Sequence, residues 1–529
     1  MGVPIVRKRL NEKVEAQPKM NIYKAVFAFV VVVVFKCAAA QQYPANIFPD
    51  TVFAPFVFGV ASGDPLKDRV IIWTKVDTRS DLGQTSETVQ WQVASKPTFD
   101  VILESGEVTA TSKSDFTIKV DVDNLQAGQQ YFYRFKTSDG KFSQVGIAKT
   151  LPEDSVKQFK LAAVSCSSIW AGFFNAYRRI SERSDVDFLV HLGDYVYDYP
   201  DRKQLNRMPS EYPKDCAGLS DWRARHTYYL LDPDLRAARQ NKTWIAEWDN
   251  HDTDVEAPGE TWEAIQAFYE YLPIRMPDSQ HPEKIYRQFR FGNLADLTMI
   301  DMQLFRGKEE YEPGKKSVLG NEQDEWLKTK LKSSKAQWHL IGNQEMMTDW
   351  LSEGAPKSIT KKRGNGRVFD PGNWNGFPED RQRLYDFISN NRINNVVVLT
   401  GDIHMSFVMN MTGTPKDKNL YNKRTGEGAV GVEITGPSVS RVNMKEAGVP
   451  GFLIPLIQTV SRNINPHHIW NHFTEHGYFT IDVTPEKCEA EYWYVPINKI
   501  IDTEKFGRGY TVLDGKNHWE KQFYKRSKY

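Results

Sequence analysis

Residues 188–198, FLVHLGDYVYD, set a short apolar run directly against a Gly-Asp turn and two tyrosines. A brief apolar run closed by turn residues reads as a strand buried on both faces, the kind found in the sheet of an α/β protein. A carboxylate held on a tight glycine turn at such a strand end can bridge two cations. Tyr197, three residues beyond Asp194, can reach the same centre as a phenolate if the metal is a strong Lewis acid. Taken alone, the motif fits a turn aspartate followed by packed aromatics equally well.

The pattern recurs three times. LAAVSCSS ends an apolar run at Cys166, WIAEWDNHD ends one at Asp249, Asn250, His251 and Asp252, and VVVLTGDIHMS ends one at Asp402 and His404. Ligands of α/β sheets collect at the carboxyl ends of strands, so four such ends predict one metal-centred site. Cys166 offers a thiolate or, in the plainer reading, a small buried hydrophobe. An asparagine carbonyl at Asn250 is a neutral oxygen ligand, and His251 can steady a phosphoryl oxygen or protonate a leaving group. Arg306, in IDMQLFRG, can grip an anion through a bidentate pair, although a surface ion pair is the ordinary use of arginine. His467, His468 and His476 form a late cluster able to edge such a site.

Around these runs the chain is organised in two parts. From residue 53 to 150, short strands such as RVIIWTKV, TVQWQVAS, DFTIKVDV and QYFYRFKT alternate with Gly-, Asp-, Asn- and Pro-bearing turns, which predicts an immunoglobulin- or fibronectin-like β-sandwich over residues 44–151. After a linker at 152–158, apolar strands alternate with amphipathic stretches such as FFNAYRRISER, so residues 158–505 read as an α/β domain with a large mixed sheet. Residues 201–221 and 358–375 read as polar loops. Residues 506–529, ending in the basic KQFYKRSKY, read as a solvated tail.

Bulk properties narrow the possibilities further. At 529 residues, 40% hydrophobic and 26% charged, the chain has room for more than one domain and is too ordinary in composition to be disordered or fibrous. A formal net charge of +1 gives no global field for nucleic acid, so no specific nucleic-acid binding is predicted. Residues 25–35, AVFAFVVVVVF, follow Lys24 and lead into CAAAQQ, where Ala38 and Ala40 fit a small-x-small cleavage rule. Residues 1–40 therefore read as a secretory signal, leaving no stable membrane span after cleavage and a secreted, periplasmic or cell-surface protein. Lys36 ends the apolar run and argues against both a signal anchor and a lipoprotein cysteine at Cys37. Cleavage leaves Cys166, Cys216 and Cys488, an odd number. Cys166 is the odd one out by its strand-end position, which leaves Cys216 and Cys488 as a possible disulfide.

In order along the chain, GVASGDPLKDRVIIWTKV, SCSS, HLGDYVYD, WDNHD, IDMQLFRG, GNQEMM, TGDIHMS, EITGPSVS and HGYFTIDVT resemble the PhoD-type alkaline phosphatases of the metallophosphoesterase superfamily. The likeness extends over most of the mature chain. It implies a four-layer α/β/β/α metallophosphoesterase domain behind an N-terminal sandwich, with Fe3+ and Ca2+ in the site. Cys166 and Tyr197 would be iron ligands, Asp194 a bridging ligand, and Asp402 and His404 further ligands. Asn250 stands where the family commonly has Asp, which leaves Asp249 and Asn250 both open as ligands. Gln303 stands where the family often has Arg, so any anion clamp there would fall to Arg306.

The resemblance implies an alkaline phosphatase or phosphodiesterase that hydrolyses phosphomonoesters or phosphodiesters by metal-assisted in-line attack. A phospholipase-D-like diesterase of the same family is one alternative. A surface binding protein with a structural metal site is another, because fold alone does not dictate activity.

Overall fold

Each of the four apolar runs forms a strand, and three of them lie side by side. Phe159–Val164, Phe188–Leu192 and Thr243–Glu247 run parallel, so the turns carrying Cys166, Asp194 and Asp249 leave the same edge of one sheet. The fourth run, Val396–Thr400, lies in a second sheet, parallel to Trp338–Asn343 on one side and Gly431–Thr435 on the other. The computed structural model describes residues 46–78, 85–199, 207, 215–253, 261–353 and 367–523, and residues 45–529 form one compact unit. The signal at 1–40, and most of the insertions expected at 201–221 and 358–375, lie outside the described residues.

The first sheet has ten strands and the second has seven. They face each other across one core, where Leu161, Val190 and Ile245 of the first meet Leu297, Leu340, Leu399 and Ile434 of the second. The period of two along each strand decides this. Phe188, Val190 and Leu192 point into the shared core. The alternate residue His191, with Trp244 of the neighbouring strand, points out to Tyr177 of the helix Asn175–Glu182. The outer face of the second sheet is covered by Asn321–Ser333 and Pro378–Asn390, whose Leu327, Leu384 and Ile388 pack on Ile341 and Val398. The result is the α/β/β/α layering.

The N-terminal sandwich is joined to this sheet. Glu104–Thr111, Ser86–Ala94, Gln130–Thr137 and Gly146–Lys149 form one of its faces. The opposing face, Val60–Gly63, Val70–Lys75 and Thr117–Val122, is the end of the ten-stranded sheet. Val60–Gly63 pairs in parallel with Thr243–Glu247, Ser62 opposite Thr243. This closes what would otherwise be an open edge beside the site.

Two expectations are corrected. The supposed tail at 506–529 contributes two strands. Lys505–Leu513 pairs antiparallel with Lys487–Val495, and Lys521–Phe523 adds the last strand of the sheet. Tyr510, Val512 and Trp519 enter the inter-sheet core, a burial that the basic residues around them conceal in the sequence. The Cys216–Cys488 disulfide is absent: Cys166, Cys216 and Cys488 are all buried and none is disulfide-bonded, and Cys488 packs in the inter-sheet core as a small apolar side chain. Among the described residues, no helix is long and apolar enough to cross a membrane.

Candidate metal centre

The turns at the strand ends are backbone-strained. Cys166 (φ 61°), Asp194 (φ 55°), Asp402 (φ 55°) and His404 (φ 56°) all adopt the left-handed conformation that side chains disfavour. Each costs about 1–2 kcal/mol, so four within one site have to be held by the surroundings. The Cys166 N–H donates to the Gly193 carbonyl at 3.2 Å and the Ser167 N–H to that of Asp194 at 2.9 Å, tying the first turn to the second. The Cys166 carbonyl in turn accepts the N–H of Ser440, at 3.3 Å, and of Arg441, at 3.2 Å. Asp252 binds the third turn to the second. Its carboxylate accepts the N–H groups of Tyr195 (3.2 Å), Val196 (2.9 Å) and Asp249 (3.0 Å). Burial, with Asp194 nearby, pushes its pKa up to about 7. Gly193 (φ 93°) has no room for a side chain, since a Cβ there would sit 2.4 Å from that of Asp249.

These constraints place two overlapping groups of donors. Ligand atoms of Cys166, Asp194 and His404 all lie within 4.8 Å of one another, and so do those of Asp194, Asp249 and Asp402. Asp194 belongs to both. The Tyr197 hydroxyl donates to Asp194 Oδ2 at 2.8 Å, which adds a phenol to the first group. Asp249 Oδ2 and His404 Nε2 are buried and have no hydrogen-bond partner, an arrangement costing about 1–3 kcal/mol per atom unless something binds them.

Electrostatics agree. Burial first, then Asp194 and Glu345, pushes the Asp249 carboxyl far above its usual range, and burial with Glu345 does the same to Asp402. Burial, then Asp194, pushes the Cys166 thiol and the Tyr197 phenol far up, and burial pushes His404 far down. Without a cation these groups favour their protonated forms, and a bound cation is what would let them ionise together. The residues therefore fit metal ions, with sulfur, imidazole and phenol on one side and carboxylates on the other.

The remaining expected residues surround this centre. Asn250 opens the short helix Asn250–Thr253 and its N–H donates to Asp249 Oδ1 at 2.9 Å, while the carboxylate that joins Asp194 and Asp402 is that of Asp249. The His251 N–H points to Asp194 Oδ1 at 3.4 Å, and Nδ1 is bonded to Asp198 Oδ1 at 2.6 Å. Its ring packs on Tyr197, with centroids 4.3 Å apart. Burial works to lower the His251 pKa, but Asp194 and Asp198 outweigh it and raise it. Arg306 is committed to its neighbours, Nη1 donating to Glu345 Oε1 at 2.7 Å and Nη2 to Gln303 Oε1 at 3.1 Å. Gln303 donates through Nε2 to Asp249 Oδ1 and to Glu345 Oε1, so the amide that replaces an expected arginine orients the carboxylate.

The histidine cluster divides. His467 and His468 both donate to the Asp349 carbonyl, at 2.9 and 2.8 Å, and serve the scaffold. His476 holds the 438–446 loop through Ser438, Asn443 and Glu446. Sequence reasoning missed Glu345, Asp198, the anchoring role of Asp252, and Arg441. Glu345 follows the buried strand Trp338–Asn343, so the strand-end rule that found Asp402 would have found it too. Arg441 carries no comparable local signal.

Known proteins share this architecture. The family profile described as "PhoD-like phosphatase" matches residues 161–492, and that of the "PhoD-like phosphatase, N-terminal domain" matches residues 41–152. Alkaline phosphatase D of Bacillus subtilis (strain 168) is 30% identical over 498 residues, spanning 86% of this chain and 80% of that protein. The solved structure of PhoD superposes with a TM-score of 0.75 at 26% identity, covering 91% of this chain and 92% of that one.

Proposed function

Given that the chain belongs to the PhoD-like phosphatase family and is a phosphoric ester hydrolase, we propose that it works as an exported enzyme with ferric iron and calcium in its site. The observation that carries the metal assignment is the pair of overlapping donor groups that share Asp194. Cys166, Tyr197, Asp194 and His404 form the softer, sulfur- and nitrogen-containing side, which suits iron. Asp194, Asp249 and Asp402 offer the hard oxygens that calcium prefers. Export rests on the apolar run at 25–35 with its small-residue cleavage pattern.

When bound, the ions supply Lewis-acid charge for the phosphoryl oxygens. The protein's own groups do the rest. Asp194 keeps the two sides in register, with Tyr197 and the His251 N–H fixing its carboxylate. Gln303, Glu345 and Arg306 form a hydrogen-bonded brace that aims Asp249. His251 has Nδ1 engaged by Asp198, so Nε2 is the atom left to deliver a proton to the departing alcohol oxygen. Its raised pKa favours the protonated form this role needs.

Elemental analysis of the purified protein, with hydrolysis of a chromogenic monoester and diester before and after chelation, tests the reading. Iron and calcium are expected, with turnover lost on chelation and regained on their return. Protein that holds only zinc, or hydrolysis indifferent to chelator, would overturn the metal assignment. A phenolate on Fe(III) adds a visible charge-transfer band, and that contribution is expected to be lost in Tyr197→Phe while absorption from a Cys166 thiolate on the iron remains.

The same preparation distinguishes Asp249 from Asn250. Asp249→Ala is expected to strip calcium, whereas Asn250→Ala leaves calcium affinity close to that of the parent, since the Asp249 carboxylate stands with Asp194 and Asp402. A calcium titration showing the reverse order would make Asn250 the ligand.

A further inference from the structure

Arg441 leaves the end of Gly431–Thr435 by way of a loop that is pinned to the site, because its own N–H donates to the Cys166 carbonyl. Its guanidinium carbon lies over the Tyr197 ring, 4.6 Å from the centroid, and Tyr197 is the residue whose hydroxyl meets Asp194. Nη2 donates to the Tyr199 hydroxyl at 3.2 Å, and the guanidinium also lies over the Tyr199 ring at 5.5 Å. Tyr199 packs edge-on against His251, with centroids 5.0 Å apart. Tyr197 is wholly buried but Tyr199 is 39% exposed, so the guanidinium spans from the buried cluster to a partly exposed ring. His476 holds the loop from behind through Ser438 and Asn443.

Two guanidinium groups are candidates to meet the substrate. Arg306 stands at the Asp249 edge and has a nitrogen on each of Glu345 and Gln303, so its guanidinium acts chiefly as a brace. At the Cys166–Tyr197–His251 edge, Arg225 donates to the Tyr197 carbonyl but is wholly buried, whereas Arg441 is the guanidinium that reaches the partly exposed Tyr199. We infer that Arg441, stacked on Tyr197 and steadied by Tyr199, is a substrate-orienting residue that binds the non-bridging phosphoryl oxygens of the ester at the Tyr197–His251 edge.

A planar guanidinium fixed by aromatic stacking loses little freedom on binding and presents parallel N–H donors suited to phosphate. Such a contact, made alike before and during reaction, acts mainly on KM. This inference rests on the reading of Cys166, Asp194 and Tyr197 as the reactive centre.

The test is orthophosphate binding by calorimetry, measured on metal-analysed parent, Arg441→Ala, Arg441→Lys and Tyr199→Phe proteins, alongside KM and kcat for a chromogenic monoester. Arg441→Ala is expected to weaken orthophosphate and raise KM by roughly 10–100-fold, with metal content kept and kcat changed less. Arg441→Lys should fall between, because it restores charge without the planar fork, and Tyr199→Phe should raise KM modestly. Unchanged orthophosphate affinity in Arg441→Ala would overturn the inference, as would metal loss in both Arg441 variants, which would make the side chain a support for the Cys166 turn. Failure of the metal-centre reading would show separately, in the parent protein's own metal content and chelator response.

Discussion

Asp194→Asn is expected to abolish hydrolysis while the protein remains folded. The side chain keeps its size, and the backbone bonds that hold its turn, Cys166 N–H to Gly193 and Ser167 N–H to Asp194, do not involve the carboxylate. What changes is the charge shared by both donor groups. Outer partners of metal ligands cost about 10–100-fold when removed, so a shared ligand should exceed that range. Turnover, metal content and circular dichroism of the variant check the point together. Near-normal turnover with full metal content would remove Asp194 from the centre.

Gly193→Ala should damage both stability and activity, and a matched control separates the causes. Gly193 has φ 93° and Gly140, in a sandwich turn, has φ 90°. An added Cβ would meet Asp249 Cβ at 2.4 Å and Asp249 N at 2.9 Å in the first case, and nothing within 4 Å in the second. Gly140→Ala therefore incurs the backbone cost alone, about 1–2 kcal/mol. Gly193→Ala adds overpacking against Asp249, for a total of roughly 2–5 kcal/mol, and displaces a carboxylate of the cluster. Urea unfolding of the two variants should show Gly193→Ala as the less stable, with activity lost only there. Equal destabilisation and intact hydrolysis in both would mean that the Gly193 turn has slack the geometry does not show.

The residues whose place could be read from the sequence share a local signature. Cys166, Asp194, Asp249, Asp402 and His404 each follow an apolar run within a few residues, and strand direction then dictates which edge they leave. That information is contained in windows of about ten residues, so one chain suffices to find it. The α/β class and the sandwich were legible for the same reason, as alternation and turn chemistry are local, whereas the residues alone suggested one large mixed sheet and only the family resemblance implied the two-sheet layering. Glu345 carries the same signature, following the buried strand Trp338–Asn343.

Tertiary structure alone decided the rest, because it depends on partners far apart in the chain. Cys216 and Cys488 do not pair, because Cys488 lies in the inter-sheet core while the Cys216 N–H is bonded to the Asp198 carbonyl, which spacing along the chain does not reveal. The C-terminal residues become strands because Lys487–Val495 offers them an unpaired edge, and Tyr510 and Val512 then gain a core to enter. Val60–Gly63 extends the catalytic sheet through the same need to satisfy an edge. The position of the Asp249 carboxylate beside Asp194 and Asp402 depends on Gln303, 54 residues away from Asp249, and on the Gly193 turn packed against it. Arg441 reaches Tyr197 only because a loop on the second sheet is hydrogen-bonded to a turn on the first. Local sequence supplied the chemical groups and the ends of the strands; the closure of two sheets on a common core determined which of those groups meet.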